Sequence, residues 1–306
     1  MNIFIAGGSG AIGRVLVPML VADGHRVVAL SRSQDRARQL QEMGAEPVVG
    51  DVFNLSQLTE LVVRAKPDVV IHQLTAFGPE GTGLEATLRI RIEGTANLVA
   101  AAEAAKARRI ITQSISFICT PYGSGLTDES TPLYLDAPPS IQSLAFAVSE
   151  LERQTLESKM ESVVLRYGWF YGVGTNYDPH GSIPTAIRKG RMSIVGKGKG
   201  TYSFISLHDA AQATMLALKQ GSGIYNIVDD HPAPLSEWLP VAAKILKAPS
   251  PGYFDEVTAR AKLGDMFVYT MNEQRGASNA KVKRDLGWTP KVPSWKDGFA
   301  ELYRST

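Results

Sequence analysis

The amino-acid sequence predicts an α/β protein built on a doubly wound parallel sheet, with a smaller C-terminal α/β lobe. Two observations carry this prediction. Short apolar segments suited to buried parallel strands alternate with helical patterns through residue 166. Beyond that residue the alternation loosens into shorter segments, some of which we expect to rejoin the sheet. The predicted domain boundary therefore separates 1–166 from 167–306.

The first thirteen residues contain the most informative pattern. A predicted strand over 2–6 runs into Gly7, Gly10 and Gly13, and a helical pattern follows. Glycines at this spacing permit a tight turn, a close approach of backbone N–H groups to a pyrophosphate, and close packing of helix on strand. The alternative is an ordinary tight βα turn. The pattern favours a Rossmann-type dinucleotide-binding domain over 1–166, whose turn binds through Gly7, Gly10, Ala11, Ile12 and Gly13.

The end of the second strand, predicted over 26–30, favours NADP as the cofactor and leaves NAD as the second choice. A site that prefers NAD usually places Asp or Glu here to bind the ribose hydroxyls. This chain has Ser31 and Arg32, and no acidic residue before Asp35. A guanidinium at Arg32, helped by Arg14, suits a 2′-phosphate through charge-assisted hydrogen bonds. The alternative is a solvated arginine at a helix start.

The remaining elements follow in chain order. Pro18 lies inside the first helical pattern and should kink it, and Gly24 suits a left-handed cap at its end. The glycine-rich stretch 196–200 lacks a following helix, so a hairpin turn is favoured over a phosphate-binding loop. Strands are predicted over 46–49, 68–71, 109–113, 162–166, 202–206 and 223–228, and helices over 34–43, 84–105, 141–159, 208–220 and 294–303.

Polar residues at three strand ends have candidate roles. Asp51, after the third strand, is predicted to accept a hydrogen bond from the adenine amino group. The alternative is a cap for the helix from Ser56, and the two roles are compatible. His72, after the fourth strand, is interpreted as a packed strand-end residue. Ser114 and Ser116 follow the fifth strand, at the edge where doubly wound sheets bind their ligands.

Composition excludes several classes of function. The 32 Lys and Arg residues nearly balance the 30 Asp and Glu residues, which gives no support for binding to nucleic acid or to a membrane surface. The single cysteine, Cys119, excludes an internal disulfide and a CxxC metal pair, and no metal site is predicted. No apolar run approaches the roughly 20 residues of a membrane span, and the first strand leaves no room for a signal peptide. We expect a cytoplasmic protein that binds a small molecule.

With these residues identified, the chain resembles the extended short-chain dehydrogenase/reductase superfamily, in its NAD(P)-dependent epimerase/dehydratase group. The motifs that carry the resemblance cover nearly the whole length in family order. They are Gly7-x-x-Gly10-x-x-Gly13, Gly50-Asp51-Val52, Val70-Ile71-His72, Glu93-Gly94-Thr95-Ala96-Asn97-Leu98, Leu165-Arg166 with Tyr171-Gly172, Phe204-Ile205 with His208-Asp209-Ala210-Ala211, and Asn279-Ala280-Lys281 with Leu286-Gly287-Trp288-Thr289-Pro290.

The resemblance implies a Rossmann-type cofactor domain, a smaller C-terminal substrate domain, and a homodimer through the helices near 84–105 and 141–159. It also extends the set of expected cofactor contacts beyond the glycine turn. The full set adds Ser31, Arg32, Asp51, Val52, Leu74, Thr75, Ala76, Gln113 and Tyr167 to the five turn residues.

The chain departs from the family's pattern at the chemical step. The family uses a Ser or Thr after the fifth strand, a role that Ser114 or Ser116 fills, and a Tyr-x-x-x-Lys one turn apart on the next helix. In that pair the tyrosine exchanges a proton with the substrate oxygen, while the lysine lowers the tyrosine pKa and holds the nicotinamide ribose. Those two positions fall near Leu144 and Val148. No Tyr-x-x-x-Lys occurs anywhere in the sequence.

A second departure concerns the substrate. Sugar-nucleotide enzymes of this group place an arginine just before the strand that here contains Phe204, and this chain has Tyr202 at that position. With Trp169, Phe170, Tyr171 and Tyr177 nearby, the predicted pocket is apolar and aromatic, although the same aromatics could equally form a core. Tyr171, Tyr202 or water is predicted to donate the proton, while a serine orients the substrate.

Three classes of function remain open. The first is an NADP(H)-dependent oxidoreductase acting on a small apolar or aromatic metabolite that does not need the missing tyrosine, such as an activated alkene, an imine or a quinone-like carbonyl. The second is an isomerase, dehydratase or cyclase that retains the nucleotide. The third is a non-catalytic nucleotide sensor. The sequence favours the first.

Overall fold

A computed structural model describes residues 1–76 and 83–304 of the chain. Its strands are β1 (Asn2–Ala6), β2 (Arg26–Ser31), β3 (Glu46–Val49), β4 (Val69–His72), β5 (Arg109–Ile115), β6 (Glu161–Tyr167), β7 (Trp169–Tyr171), β8 (Ser193–Val195), β9 (Thr201–Tyr202), β10 (Phe204–Ser206), β11 (Gly223–Ile227), β12 (Ala233–Pro234) and β13 (Gly252–Phe254).

The helices alternate with these strands. They are α1 (Gly13–Ala22), α2 (Gln34–Glu42), α3 (Leu55–Ala65), α4 (Leu84–Arg89), α5 (Thr95–Ala104), α6 (Pro139–Leu156), α7 (Ser182–Arg188), α8 (Leu207–Ala217), α9 (Leu235–Ile245), α10 (Glu256–Leu263), α11 (Asp265–Val268), α12 (Ala280–Leu286) and α13 (Trp295–Leu302). Two π-helical turns, Ile90–Gly94 and Tyr269–Glu273, continue α4 and α11. Within the described residues, none of the helices is both long and apolar enough to cross a membrane.

The central sheet confirms the predicted fold class. Its seven strands run in the order β11-β6-β5-β4-β1-β2-β3. β1 lies between β2 and β4 and pairs with both in parallel, so Phe4 lies opposite Val28 on one side and Val70 on the other. Phe4 and Val70 are fully buried, as expected for a strand covered by helices on both faces. β11 joins the sheet edge, as expected for a segment beyond residue 166.

Two local predictions are wrong. The stretch 196–200 is not a hairpin, because β8 pairs with β13 and β9 pairs with β12. β5 continues two residues further than predicted, so Ser114 lies inside the strand. Both errors arise because pairing with distant strands, which the local pattern does not reveal, determines where a strand ends.

The chain forms two compact units, each made of three segments. The first unit comprises Met1–Ser114, Ala147–Arg166 and Ala210–Tyr225, and the second comprises Ile115–Phe146, Tyr167–Asp209 and Asn226–Thr306. The domain boundary after residue 166 stays a prediction.

The core of the second unit is an aromatic cluster. The Phe204 ring packs against Trp238, Trp295 and Phe299, with ring centroids 5.2–5.9 Å apart. These four side chains are fully buried. Tyr171, Tyr177 and Tyr202 belong to the same cluster, so of the two interpretations of these tyrosines the structure favours core packing over a pocket wall.

Candidate functional site

The glycine turn between β1 and α1 is fixed by close backbone approaches at two of its three glycines. Gly7 has a φ of +100°, and a Cβ atom there would overlap the carbonyl group of Gln73, just after β4. A Cβ atom at Gly13 would overlap the carbonyl oxygens of Gly7 and Gly8. The fold itself therefore requires glycine at 7 and 13, and the turn lies against the end of β4.

Gly10 differs from these two glycines. Among the described residues, only the Gly7 carbonyl oxygen lies within 4 Å of a Cβ atom placed there, at 3.2 Å. In the described part of the chain, the N–H groups of Ala11 and Ile12 have no backbone acceptor, and the first turn of α1 contains no acidic residue. This turn therefore fits the pyrophosphate of NAD(P). The two N–H groups can donate to it, the N-terminus of α1 is positive, and the space around Gly10 is open.

The end of β2 presents Arg32 without a competing acid. Arg32 is exposed and forms no ion pair within the described residues. Ser31 donates its hydroxyl hydrogen to the Ser33 carbonyl at 2.8 Å, and Asp35 is engaged with Arg38 at 2.8 Å. Arg32 is therefore free to bind an anion at the position where the sequence predicts the 2′-phosphate.

Asp51 does not cap the next helix, so that alternative is wrong. Asn54 caps α3, since its side chain accepts the Gln57 N–H at 3.1 Å. The exposed Asp51 carboxylate accepts the Phe53 N–H at 3.0 Å within a local turn. The backbone carbonyl of buried Val52 accepts the Asn97 amide at 3.0 Å, which holds this turn against α5. The adenine-binding role of Asp51 stays a prediction.

Three residues predicted to contact the cofactor, Leu74, Thr75 and Ala76, lie shortly after β4. The Leu74 N–H donates to His72 Nδ1 at 3.2 Å and the Ala76 N–H donates to Thr87 Oγ1 at 3.1 Å, which leaves Thr75 exposed between them. Since β4 neighbours β1 in the sheet, these residues lie beside the glycine turn.

Gln113 and Tyr167 are the last two residues that the sequence predicts to contact the cofactor. Gln113 lies inside β5 of the first unit, and its buried Oε1 has no hydrogen-bond partner within the described residues. Tyr167 ends β6, is fully buried, and belongs to the second unit. Both assignments stay predictions.

Ser114 belongs to a buried ion-pair cluster. Its hydroxyl donates to Glu152 Oε1 at 2.7 Å. The Glu152 carboxylate also accepts two hydrogen bonds from Arg166, at 2.7 Å from Nε and 2.6 Å from Nη2. The Ser114 hydroxyl hydrogen is therefore committed to Glu152, and this arrangement favours a structural role over substrate orientation. Ser116 is the better candidate for orienting the substrate, because its buried Oγ has no hydrogen-bond partner in the described part of the chain.

The two tyrosines predicted as proton donors lie in the core of the second unit. The buried Tyr171 hydroxyl has no hydrogen-bond partner among residues 1–76 and 83–304. It packs so closely on α13 that a Cβ atom at Gly298 would overlap it. Tyr202 donates its hydroxyl to the Met271 sulfur at 3.5 Å. Burial raises the pKa of both phenols. This placement argues against the predicted donor role, because an apolar core disfavours the phenolate that proton donation leaves behind.

The helix α6 presents hydrocarbon where the family has its acid–base pair. Leu144 is 4% exposed and Val148 is fully buried. Neither side chain can donate a proton or bind a hydroxyl group. The ionisable residue of this helix that is buried lies one turn further on, at Glu152, and it is already paired with Arg166.

Among the buried ionisable residues of the first unit are His72, in agreement with its interpretation as a packed strand-end residue, and Arg91, which the sequence offers no reason to select. His72 is fully buried, accepts the Leu74 N–H at Nδ1 and lies 3.0 Å from Thr95 Oγ1 through Nε2. Burial and the nearby charge of Arg91 lower the pKa of His72 to about 3. Arg91 is 3% exposed, and its Nε and Nη1 atoms have no hydrogen-bond partner among the residues that the structure describes.

In its described part, the second unit also contains a half-buried aromatic pair and several buried polar groups without hydrogen-bond partners. The rings of Phe117 and Trp169 are stacked with centroids 4.1 Å apart. Trp169 Nε1 and both amide atoms of Gln274 are buried without hydrogen-bond partners. Phe117 and Gln274 could not be predicted from the sequence, since single residues outside a motif give no local signal.

Because folded His72 stays neutral, it should make the free energy of unfolding depend on pH in the acidic range. The unfolded chain takes up a proton near the ordinary pKa of 6.5, whereas folded His72 resists protonation down to about 3. The unfolded state therefore binds one more proton between these values, and stability falls as the pH falls below 6.5. We expect His72→Asn to reduce the slope of the free energy of unfolding against pH by about 1.4 kcal/mol per pH unit between pH 6 and 4. Denaturant unfolding at several pH values measures it, and the exposed His180→Asn is the matched control. An equal slope in all three proteins would contradict the neutral His72.

Comparisons with known proteins agree with this geometry. Residues 3–228 match the model of the NAD dependent epimerase/dehydratase family. The chain is 40% identical over 307 residues to a Streptomyces protein named 3-diazoavenalumate denitrifying reductase, covering 98% of this chain and 99% of that protein. It is 27% identical to a Stigmatella aurantiaca protein named 4-hydroxy-2-methyl-3-oxo-4-farnesyl-3,4-dihydroquinoline-1-oxide ketoreductase, covering 95% and 93% of the two chains.

Solved structures support the fold. The UDP-glucose 4-epimerase of Thermotoga maritima, solved with UDP-glucose, superposes with a TM-score of 0.79 at 20% identity and covers 99% of both chains. The UDP-glucose 4-epimerase of Thermus thermophilus, solved with NAD, gives a TM-score of 0.76 at 22% identity and covers 100% of both. At these identities the likeness concerns the fold alone.

Proposed function

This chain belongs to the NAD dependent epimerase/dehydratase family and is an NAD(P)-dependent enzyme of that family, and we propose that it reduces a diazo-substituted aromatic compound with loss of N2. The observation that carries the proposal is the buried Leu144–Val148 face of α6, which removes the family's proton donor. The name of the Streptomyces relative supports it, because that name combines a diazo substrate, loss of nitrogen and reduction.

The proton balance of the reaction explains why diazo reduction suits a chain without the family's proton donor. A ketone that takes up hydride must also take up a proton, which a general acid supplies. An aryl diazonium cation takes up hydride at the ring carbon, a C–H bond forms, and the C–N bond breaks with its electron pair leaving in N2. The products are the arene and dinitrogen, and no proton is consumed. Bound reduced nicotinamide supplies the hydride.

Residues of the second unit are suited to such a substrate. The stacked Phe117–Trp169 pair is half-buried, and aromatic faces attract both planar rings and cations. The unpartnered Ser116 Oγ and Gln274 amide supply hydrogen bonds for polar ring substituents. We propose Ser116, Phe117, Trp169 and Gln274 as substrate-binding residues.

The experiment follows both the nitrogen and the hydride. A ring-substituted benzenediazonium salt is incubated with the enzyme and reduced cofactor carrying deuterium at the transferable position. We expect one N2 per cofactor oxidised, and deuterium at the ring carbon that carried the diazo group. With unlabelled cofactor in D2O, we expect no deuterium in the product.

Other outcomes contradict the proposal. Deuterium from D2O on the ring would mean that the hydrogen comes from solvent. No N2 release, together with uptake of one proton per cofactor on a ketone-bearing aromatic probe, would indicate a carbonyl reductase of the kind named in the Stigmatella relative.

The preference for NADP rests on Arg32. Because this exposed guanidinium has no ion-pair partner within the described residues, we expect NADP(H) to bind several-fold more tightly than NAD(H). Arg32→Ala should remove this preference, at a cost of about 1–2 kcal/mol for a charge-assisted contact. Calorimetry with both nucleotides measures it, with the exposed Arg64→Ala at the end of α3 as the control. Equal affinities in the unmodified protein would contradict the assignment.

The homodimer, the cytoplasmic location and the absence of nucleic-acid or membrane partners stay predictions. Ala96, Ala100 and Ala104 form an exposed row at four-residue spacing on α5. Small residues in this spacing allow another helix to approach closely, which supports the proposed pairing through this part of the chain.

A further inference from the structure

The buried charges of the first unit do not balance. Glu152 forms a two-point ion pair with Arg166, at 2.7 and 2.6 Å, and both side chains are about 95% buried. Arg91 is buried to the same degree and brings a second positive charge. Burial lowers the pKa of Arg91 to about 10, so it remains charged at neutral pH. Counted over the described residues, this group of three side chains carries one positive charge in excess.

Within 1–76 and 83–304, the residues near Arg91 do not supply the missing partner. The Glu152 carboxylate already accepts two hydrogen bonds from Arg166 and one from Ser114. His72 is neutral, and its Nδ1 accepts the Leu74 N–H. The Arg91 Nε and Nη1 atoms are buried without hydrogen bonds. Leaving two donors of a buried cation unpaired costs free energy, and an oxygen-rich ligand would recover it.

The position of Arg91 indicates which ligand this is. It lies in the π-helical turn Ile90–Gly94, and such turns often occur at functional sites. Its charge acts on His72, the last residue of β4, and on Glu152 of α6. In a doubly wound sheet the ligand binds at the carboxyl ends of the strands, where the strand order reverses. That reversal lies here between β1 and β4.

The sheet also distinguishes the two halves of the nucleotide. The end of β2, with Arg32, lies on one side of β1, and this side receives the adenine ribose. β4 and β5 lie on the other side, where the nicotinamide half would bind. At the α6 position where the family has its lysine, this chain has the buried hydrocarbon side chain of Val148. We infer that Arg91 donates hydrogen bonds to oxygen atoms of the nicotinamide half of bound NAD(P), either the ribose hydroxyls or the adjacent phosphate.

Nucleotide titrations on ligand-free protein test this inference without relying on turnover. Arg91→Met removes the charge and keeps the length of the side chain. We expect it to weaken binding of NADPH by at least about tenfold in calorimetry. The unfolding midpoint of the ligand-free protein should stay unchanged or rise, because an unpaired buried cation is removed. Arg91→Lys keeps the charge and should restore part of the affinity.

Fragments of the cofactor locate the contact. We expect Arg91→Met to weaken nicotinamide mononucleotide and to leave 2′,5′-ADP unaffected. Nicotinamide riboside, which lacks the phosphate, separates the two sources of oxygen. Loss of its binding in the variant indicates the ribose hydroxyls, and retained binding indicates the phosphate. Weakening of 2′,5′-ADP alone would overturn the assignment to the nicotinamide half.

Arg109→Met is the matched control. Arg109 is also buried in the first unit, but it lies at the start of β5 and donates to the carbonyls of Ala217, Gln220 and Gly221 and to Glu161. Its replacement should lower the unfolding midpoint and leave nucleotide affinity unchanged. If Arg91→Met behaves in the same way, Arg91 is structural and the inference is wrong. Should Arg91→Met fail to fold, Arg91→Gln and Arg91→Lys decide, since unchanged affinity in both would overturn it.

Discussion

Replacing Gly10 by valine is expected to abolish binding of NADP(H) and NAD(H) while the protein keeps its fold. The space around a Cβ atom at this position is open except for the Gly7 carbonyl oxygen at 3.2 Å. Gly10 is also absent from the residues with positive φ, so an L-residue fits its backbone. The new side chain would occupy the space needed by the pyrophosphate. We expect affinity to fall by at least about 100-fold, or about 2.7 kcal/mol.

The neighbouring glycines provide the contrast. A Cβ atom at Gly13 would overlap two backbone carbonyl oxygens, so Gly13→Ala should lower the free energy of unfolding by at least about 2 kcal/mol. Calorimetry with each nucleotide and denaturant unfolding on both variants separate the two effects. If Gly10→Val binds NADPH as tightly as the unmodified protein, the turn is structural only. If Gly10→Val unfolds as readily as Gly13→Ala, glycine at 10 also serves the fold.

The contrast between Gly10 and its neighbours shows what the sequence could and could not predict. The spacing of the three glycines after a short apolar strand indicated the turn and its ligand, because both depend on residues close together in the chain. Which glycine serves the ligand depends on Gln73, more than sixty residues away, whose carbonyl group approaches Gly7. A local pattern contains no information about such an approach.

The buried cluster illustrates the same limit. Ser114, Glu152 and Arg166 lie on β5, α6 and β6, and only the fold brings them within 2.7 Å. Read alone, Ser114 is a polar residue near a strand end and suggests catalysis. Arg91 gives no signal at all, since an arginine in a helical pattern ordinarily faces solvent. Aromatic residues beyond position 166 were ambiguous for a related reason, because core packing and pocket lining use the same side chains.

Restoring the family's acid–base pair is the second decisive change. Leu144→Tyr combined with Val148→Lys is expected to give no alcohol dehydrogenase activity and to reduce reductase turnover. Position 148 is fully buried, and burying an unpaired ammonium group costs several kcal/mol. Glu152, one turn away on α6, cannot compensate, because Arg166 and Ser114 occupy its carboxylate. The added lysine should therefore be neutral, or should lower the unfolding midpoint sharply.

The control separates volume from chemistry. Leu144→Phe combined with Val148→Met makes comparable changes in size without a hydroxyl or an amine, so any difference between the two double variants belongs to the added functional groups. Both are assayed for unfolding midpoint, for N2 release from a benzenediazonium salt, and for oxidation of the cofactor by a ketone-bearing aromatic probe. A substrate that takes hydride without a proton gains nothing from a new acid, so the tyrosine and lysine should not accelerate N2 release beyond the control. If the tyrosine–lysine variant alone reduced the ketone efficiently, the chain would be an ordinary dehydrogenase that has lost two residues, and the proposed diazo chemistry would lose its main support.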